Sequence, residues 1–374
     1  MKVAVVGAGV TGLSAAFHLA ERGADVAVYE RTGIGAGASG VQPGGVRQQW
    51  GTRVNCLLAR ESVAFYRSLN ERLEPRVGAT LEPCGYLFLA HSADRLAALA
   101  ADVTLQQALG VPSELLGPDE LAAVVPGLLV STVTGAAYCA EDGYFDRPQA
   151  VVEAFAEACT RRGVVIEHAN VTGLTADGEG WDVKHGGGGA SADVVVIAAG
   201  YDTPALLTEL DVDLRIVKQA RYLLLSDPIG ERLLEPLVVS AERHFAAKHL
   251  RSGRMLASDL SAAGDLDDHA TRWRGHVRDT ALELLPQLEY VSYPLVVEGF
   301  YDVTPDHQPV IGSVAERDGV WVAAGFSGHG FMMAPAVGRV LADAILERRL
   351  DPALDAFSLD RFERGNLLPE LQIV

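Results

Sequence analysis

The chain opens Lys2-Val-Ala-Val-Val-Gly7-Ala-Gly9-Val-Thr-Gly12, runs on as Leu13-Ser-Ala-Ala-Phe-His-Leu-Ala-Glu-Arg22, and after Gly23 reaches Asp25-Val-Ala-Val-Tyr-Glu30. Behind its single lysine, the stretch 2–6 is an unbroken apolar run, the pattern of a strand buried on both faces. Residues 13–22 carry a helical pattern that Gly23 stops. Residues 25–30 read as a second strand. Gly7 serves the tight turn, Gly9 lets backbone approach a pyrophosphate, and Gly12 lets helix and strand pack closely. The helix start at Val10 and Thr11 offers N–H donors and a positive dipole end to phosphate. Glu30 lies 18 residues past Gly12; there a carboxylate accepts from ribose hydroxyls and repels a 2′-phosphate. Strand, turn, helix, second strand and terminal acid together specify a dinucleotide-binding βαβ unit.

One such unit does not choose between NAD and FAD. The next segment does: Gly33-Ile-Gly-Ala-Gly-Ala-Ser-Gly40, then Gly44-Gly45, is too rich in glycine for regular structure and reads as a functional loop. NAD domains run on into further βα units. A second small-residue loop through Ala38, Ser39 and Gly40 points to a second pyrophosphate contact, which the larger FAD would use. Arg31 would then sit beside the adenosine.

The chain has 374 residues, enough for two to three domains at roughly 150 residues each. Its hydrophobic fraction of 49% and charged fraction of 21% are those of a globular protein. The net charge of −18 argues against a phosphate-tracking nucleic-acid binder and an acidic lipid surface. The cysteines Cys56, Cys84, Cys139 and Cys159 form no C-x-x-C pair and no metal spacing; such scattered thiols fit a reducing cytoplasm. The N-terminal apolar run leads straight into a glycine turn, unlike a signal peptide. No uncharged apolar stretch reaches the ~18 residues of a membrane span.

Further along, residues 52–70 look helical, 80–90 alternate as a strand, and 93–123 hold short helices around Pro112 and Pro118. An amphipathic helix is expected at 147–162. Strands are expected at Val164–Glu167, Val171–Leu174 and Trp181–Lys184, with a turn at Gly186–Gly189. Val194–Gly200 reads as a buried strand ending in a glycine turn. Strands at 216–225, 236–246, 254–258 and 291–300 surround a helical insert near 267–285. Val320–Ala324 is a buried strand, Gly325–Gly330 a turn, and 332–347 a long helix. Dinucleotide-type elements recur at the start, middle and end, so the predicted architecture is α/β with two interleaved domains. One comprises 1–78, 145–212 and 296–374; the other, 79–144 and 213–295.

Five segments, Val3–Gly12, Glu30–Gly45, Val194–Gly200, Gly299–Gly312 and Gly325–Gly338, make the sequence resemble the D-amino-acid-oxidase-type family of FAD amine oxidoreductases. That family includes glycine oxidase, monomeric sarcosine oxidase and the sarcosine oxidase β subunit. The resemblance implies a glutathione-reductase-like FAD-binding Rossmann domain interleaved with an antiparallel-sheet substrate domain, and the flavin at their interface. It places Ala199 and Gly200 near the adenosine and pyrophosphate, and the backbone of Val171 at the adenine, where core packing is the competing reading. It places Gly328, His329, Gly330, Phe331 and Met332 at the pyrimidine side of the flavin, where a helix start favours negative charge. His329 would face flavin or substrate there. Gly299 and Tyr301 belong to a further flavin-side run. In monomeric sarcosine oxidases that run carries a flavin-linked cysteine; here the position is Phe300, so FAD is expected without a covalent bond.

Gly45, Val46 and Arg47 resemble the segment on the flavin's substrate side, where a guanidinium stabilises reduced flavin or holds a carboxylate. A second arginine found in relatives is here Trp50, and a lysine found in many is replaced by Met332 and Met333. The carboxylate clamp is thus depleted, which counts against glycine or sarcosine themselves. Trp50, His244, Phe245 and Lys248 are the further substrate candidates, each with a surface or core reading beside it. The expected reaction is oxidation of the C–N bond of an amine or amino acid by hydride transfer to flavin N5, giving an imine that hydrolyses. Electrons would pass to O2 or another acceptor. Met255 or Leu256 fills the place of the lysine that speeds O2 reduction in some oxidases, which leans toward a dehydrogenase using a quinone or protein. A flavoprotein subunit of a larger complex is the non-catalytic alternative.

Overall fold

The computed structural model describes residues 1–315 and 317–371. Its first strand, Lys2–Val6, is an inner strand of a six-stranded sheet ordered Val310–Ser313, Val320–Ala324, Val194–Ile197, Lys2–Val6, Asp25–Glu30, Val165–His168. Val3 pairs in parallel with Val194 on one side and Val26 on the other. Alternation assigns the side chains to two layers. Val3 and Val5 join the cluster formed with the helices Val10–Glu21, Pro148–Arg161 and Gly330–Glu347. Ala4 and Val6 join a cluster with the antiparallel strands Val171–Asp177, Gly180–His185 and Gly188–Ala192. Both faces are covered, which is why the strand reads as continuously apolar.

A second, eight-stranded sheet runs Leu295–Val303, Val217–Pro228, Arg254–Asp259, Phe245–His249, Leu237–Ser240, Tyr86–Ala90, Gly135–Cys139, Glu114–Leu116. It is antiparallel except for one pair, Leu237–Ser240 beside Tyr86–Ala90. The helix Leu266–Leu284 packs on its back face. A small sheet of Gly45–Val46, Gly143–Phe145 and Leu81–Glu82 carries the chain between the two large ones.

Several elements differ from expectation. Residues 80–90 are two strands, because Pro83-Cys-Gly85 interrupts pairing and Gly85 adopts φ +83°. The helix Ala93–Ala108 is one 16-residue element, opened by Ser92 Oγ accepting from the Arg95 N–H; Pro112 lies beyond its end. Residues 236–246 split at a turn, Ala241–Arg243, where His244 takes φ +49°. The glycine loop contains a short helix, Ala38–Val41. The strand Leu295–Val303 pairs along its length with Val217–Leu225, and the chain next enters the six-stranded sheet at Val310. Among the described residues, no helix is long and apolar enough to cross a membrane.

Candidate active site

A cavity of about 540 Å3 lies between the two large sheets. One end is the glycine turn. Gly7 has φ +107°, and a Cβ there would stand 2.4 Å from the Ala198 carbonyl oxygen. A Cβ on Gly12 would stand 2.1 Å from the Gly7 oxygen, so Gly12 packs helix against strand and does not line the cavity. Gly9 does line it, and a Cβ there would meet only Ser39 Oγ, at 3.2 Å. The Val10 N–H donates to Ser39 Oγ at 3.0 Å, which ties the second loop to the helix start. Glu30 Oε2 accepts from the Ala8 N–H at 2.9 Å, and Oε1 accepts from the Thr32 N–H at 2.8 Å. Burial opposes ionisation of Glu30, but these donors outweigh it and hold the carboxyl below its usual range. Thr11, Arg31, Ala38, Val171, Ala199 and Gly200 also line this end, and Arg31 pairs with Asp202 at 2.6 Å. Gly40 instead packs on the Gly35 carbonyl, 2.4 Å from where its Cβ would be.

At the other end, Gly328, His329, Gly330, Phe331 and Met332 bring the start of the helix Gly330–Glu347 to the cavity. Such a helix start carries unsatisfied N–H groups and positive dipole. Gly328 has φ +93°, and a Cβ on it would lie 2.5 Å from the Tyr301 ring. His329 is 3% exposed, and neither ring nitrogen has a hydrogen-bond partner among the described residues. Burial first, then Arg47 and His307, hold it well below its usual range, so the imidazole is neutral. Arg47 is buried with its guanidinium 3.7 Å over the Trp50 ring, donating to the Gln49 carbonyl at 2.9 Å. Burial lowers its pKa against the pull of Tyr86, Glu370, Asp142 and Tyr301. Gly45 lies 3.7 Å from both Met332 Cε and the Tyr86 ring, measured from the position of a Cβ. Gly299 and Tyr301 complete this end.

Besides Gly12 and Gly40, four expected residues fall elsewhere. Val46 and Trp50 are fully buried in the core behind the site; Trp50 backs Arg47 and meets the His329 ring at 4.3 Å. His244 is exposed in a turn. Phe245 points into the core on the far side of the eight-stranded sheet, with Leu87, Val238, Ala247 and Ala257. Side chains alternate across a strand, so Phe245 and Lys248, three apart, face opposite sides. Lys248 takes the cavity side with Tyr86, Leu237, Ala246, Leu256, Leu223 and Arg221, which sequence reasoning did not pick out apart from Lys248 and Leu256. Asp142 was also missed. It is 1% exposed and accepts from the Gln48 N–H at 3.0 Å, Gln48 Nε2 at 3.2 Å and Gln49 Nε2 at 3.2 Å. Burial, against those donors, pushes its carboxyl up to about 6. In sequence, an acid before Gly143 reads only as a turn, and nothing local links it to Gln48.

These residues fit an extended dinucleotide. The glycine cradle leaves room above Gly9, an acid stands at the end of the second strand, and a helix start with a buried, unpartnered imidazole closes the far end. The chain belongs to the FAD dependent oxidoreductase family, whose model matches residues 2–344. It is therefore an FAD-dependent oxidoreductase, with FAD as its cofactor. It is 28% identical over 369 residues to the glycine oxidase of Geobacillus kaustophilus, covering 96% of each chain. It is 27% identical to the mitochondrial sarcosine dehydrogenase of Homo sapiens, covering 97% of this chain and 41% of that one. The crystal structure of L-proline dehydrogenase from P. horikoshii superposes with a TM-score of 0.90 at 26% identity, covering 98% of this chain and 99% of the other.

Proposed function

We propose that this chain holds FAD without a covalent bond and oxidises the C–N bond of a small amine or amino acid to an imine, which water hydrolyses. The continuity of the cavity carries this reading: one space joins the Gly7–Gly9 turn and Glu30 to Arg47, His329 and the front of the eight-stranded sheet. FAD, when bound, supplies a hydride acceptor. The protein's part is orientation and charge. Arg47 presents a buried cation, and the helix start at Gly330 adds positive dipole; both favour negative charge at this end of the cavity. His329, neutral, offers one donor and one acceptor. The wall formed by Leu223, Leu237 and Leu256 suits the hydrocarbon part of a small substrate and keeps water out. Among the described residues no cysteine lines the cavity, and Phe300 does, which supports FAD held by contacts alone. The names of the relatives support an amine substrate, since glycine, sarcosine and L-proline are all amino acids with a primary or secondary amine. Met255 and Leu256, one of which fills the place where some oxidases carry lysine, are both apolar, which supports an acceptor other than O2.

The test is anaerobic addition of glycine, sarcosine, L-proline and the corresponding simple amines to the purified yellow protein. Bleaching of the flavin by at least one is expected, as is release of intact FAD on denaturation. A yellow protein bleached by none would be a flavoprotein subunit, and the enzymatic reading would fall. Admitting air to the bleached protein then measures the acceptor: slow return of colour is expected.

A further inference from the structure

Lys248 occupies an unusual position for a lysine. It sits mid-strand on the cavity side of the eight-stranded sheet, paired in register with Leu256 and one step along from the Ala247–Val238 pair. It is 3% exposed. Its ammonium donates to the Pro43 carbonyl and lies 4.8 Å over the Tyr144 ring. Among the described residues, no carboxylate comes within ion-pair distance of it; the acids that do pair with surface cations lie elsewhere. Asp146 acts on it only from a distance. A buried ammonium with one neutral acceptor is costly and would be favoured by an anion brought beside it.

The surroundings say what the anion is attached to. Leu223, Leu237, Ala246 and Leu256 share the cavity face with Lys248 and are apolar. Leu237 and Tyr86 are paired across adjacent strands, and both lie against Gly45, the residue two beyond the Pro43 carbonyl that Lys248 holds. Lys248 is therefore beside the Gly45–Arg47 segment and not at the Glu30 end. Two other cations lie in this region, and, like Lys248, each holds a backbone carbonyl. Arg47 is stacked on Trp50 and bonded to the Gln49 carbonyl. Arg221, half-exposed, donates to the Ala220 carbonyl and to Gln219 Oε1.

We propose that Lys248 is the specificity-determining residue that receives the carboxylate of the substrate. The inference rests on the proposed amine oxidation and adds to it the group that selects amino acids over the amines that lack a carboxylate. Burial lowers the Lys248 pKa to about 7 against Cys84 and Asp146; a docked carboxylate would favour the charged form.

The experiment uses the holoenzyme with matched pairs: L-proline against pyrrolidine, and sarcosine against dimethylamine. Expected for Lys248→Met is a rise in the amino-acid concentration giving half-maximal flavin reduction, by roughly ten- to a hundredfold, the loss of one charged hydrogen bond. The limiting rate should stay within a few-fold, and pyrrolidine should be unaffected. Lys248→Arg should recover part of the loss. Lys248→Gln keeps a donor for Pro43 without the charge and should behave like Lys248→Met. A second readout needs no turnover: pyrrole-2-carboxylate should perturb the visible flavin spectrum of the wild type and do so far more weakly in Lys248→Met, while pyrrole should not distinguish them. Equal effects on proline and pyrrolidine, rescue by Lys248→Gln, or pyrrole-2-carboxylate binding independent of Lys248 would each overturn the assignment. A changed resting flavin spectrum or FAD affinity with unchanged pyrrole-2-carboxylate binding would give Lys248 to the cofactor instead. Oxidation of amines with no dependence on a carboxylate would leave the proposed function standing and remove only this inference.

Discussion

Arg47→Ala removes a guanidinium that is 1% exposed, 3.7 Å over Trp50 and bonded to the Gln49 carbonyl. Two effects on stability oppose each other. The lost charge-assisted bond is worth about 1.5–3 kcal/mol and the desolvated stack about 2 kcal/mol. Against them, the fold no longer buries a cation, which costs several kcal/mol on its own. The expected change in melting temperature is therefore small, and FAD content should stay near that of the wild type. The rate is another matter, because nothing offsets the loss of a fixed cation where negative charge develops. One charged interaction of about 1.5–3 kcal/mol corresponds to a roughly ten- to hundredfold slower flavin reduction at saturating substrate. Arg47→Lys keeps the charge but cannot stack flat on Trp50 or present a fork, so it should recover only part of the rate. Stopped-flow reduction under anaerobic conditions measures this directly. A limiting rate within twofold of wild type for Arg47→Ala, at normal FAD content, would show that Arg47 serves packing alone.

The glycine turn separates two kinds of damage. Gly9→Val should leave the fold intact and empty the cofactor site, since its side chain enters the cavity and meets only Ser39; Gly12→Ala should lower the melting temperature of the apoprotein as well, because its Cβ meets the Gly7 oxygen at 2.1 Å. Absorbance at the flavin band relative to protein, with circular dichroism, distinguishes them. Asp142 predicts a pH dependence of both rate and stability. Its carboxyl, raised to about 6, is ionised above that pH and accepts from Gln48 and Gln49; protonation below it removes an acceptor from the segment that carries Arg47, so flavin reduction should slow as pH falls through about 6. Stability runs the other way: a group with a raised folded pKa contributes stability below its unfolded value that is lost as pH rises through about 6. Asp142→Asn should therefore lack the acid limb in rate, and its melting temperature should gain on the wild type between pH 4 and 7. An unchanged acid limb in the variant would assign that limb to another group.

The parts of the fold that were legible are those whose cause is local. The strand Lys2–Val6, the helix Val10–Glu21 and the strand Asp25–Glu30 each announce themselves within a few residues, by a buried run, a glycine turn and a glycine stop. The misread parts depend on neighbours distant in sequence. Gly188–Ala192 is a strand although its sequence, Gly-Gly-Ala-Ser-Ala, has no strand preference; it forms because Gly180–His185 offers it an edge. Val310–Ser313 likewise forms against Val320–Ala324 and adds the antiparallel edge of the six-stranded sheet. Pro112 suggested a broken helix but stands past Ala108, where a proline is no obstacle.

The site divides along the same line. Residues held by a turn, such as Gly9, Ser39 or His329, follow from motif position, because the turn itself aims them. Residues presented by a sheet need the register, and a one-residue error moves a side chain to the wrong layer. Phe245 and Lys248 could not both face the cavity, and apolarity alone would have favoured Phe245. The structure resolves the choice through pairing: Ala247 is opposite Val238 and Ala257, all in the rear core, so Ala246 and Lys248 must turn forward. That places a charged residue on the buried cavity face while the aromatic one fills the core. An ordinary core would favour the reverse, because a buried ammonium costs far more than an exposed phenyl ring. Lys248 and Phe245 stood side by side as candidates in the sequence, and the register, which no local pattern carries, is what separates them and puts the charge on the cavity face.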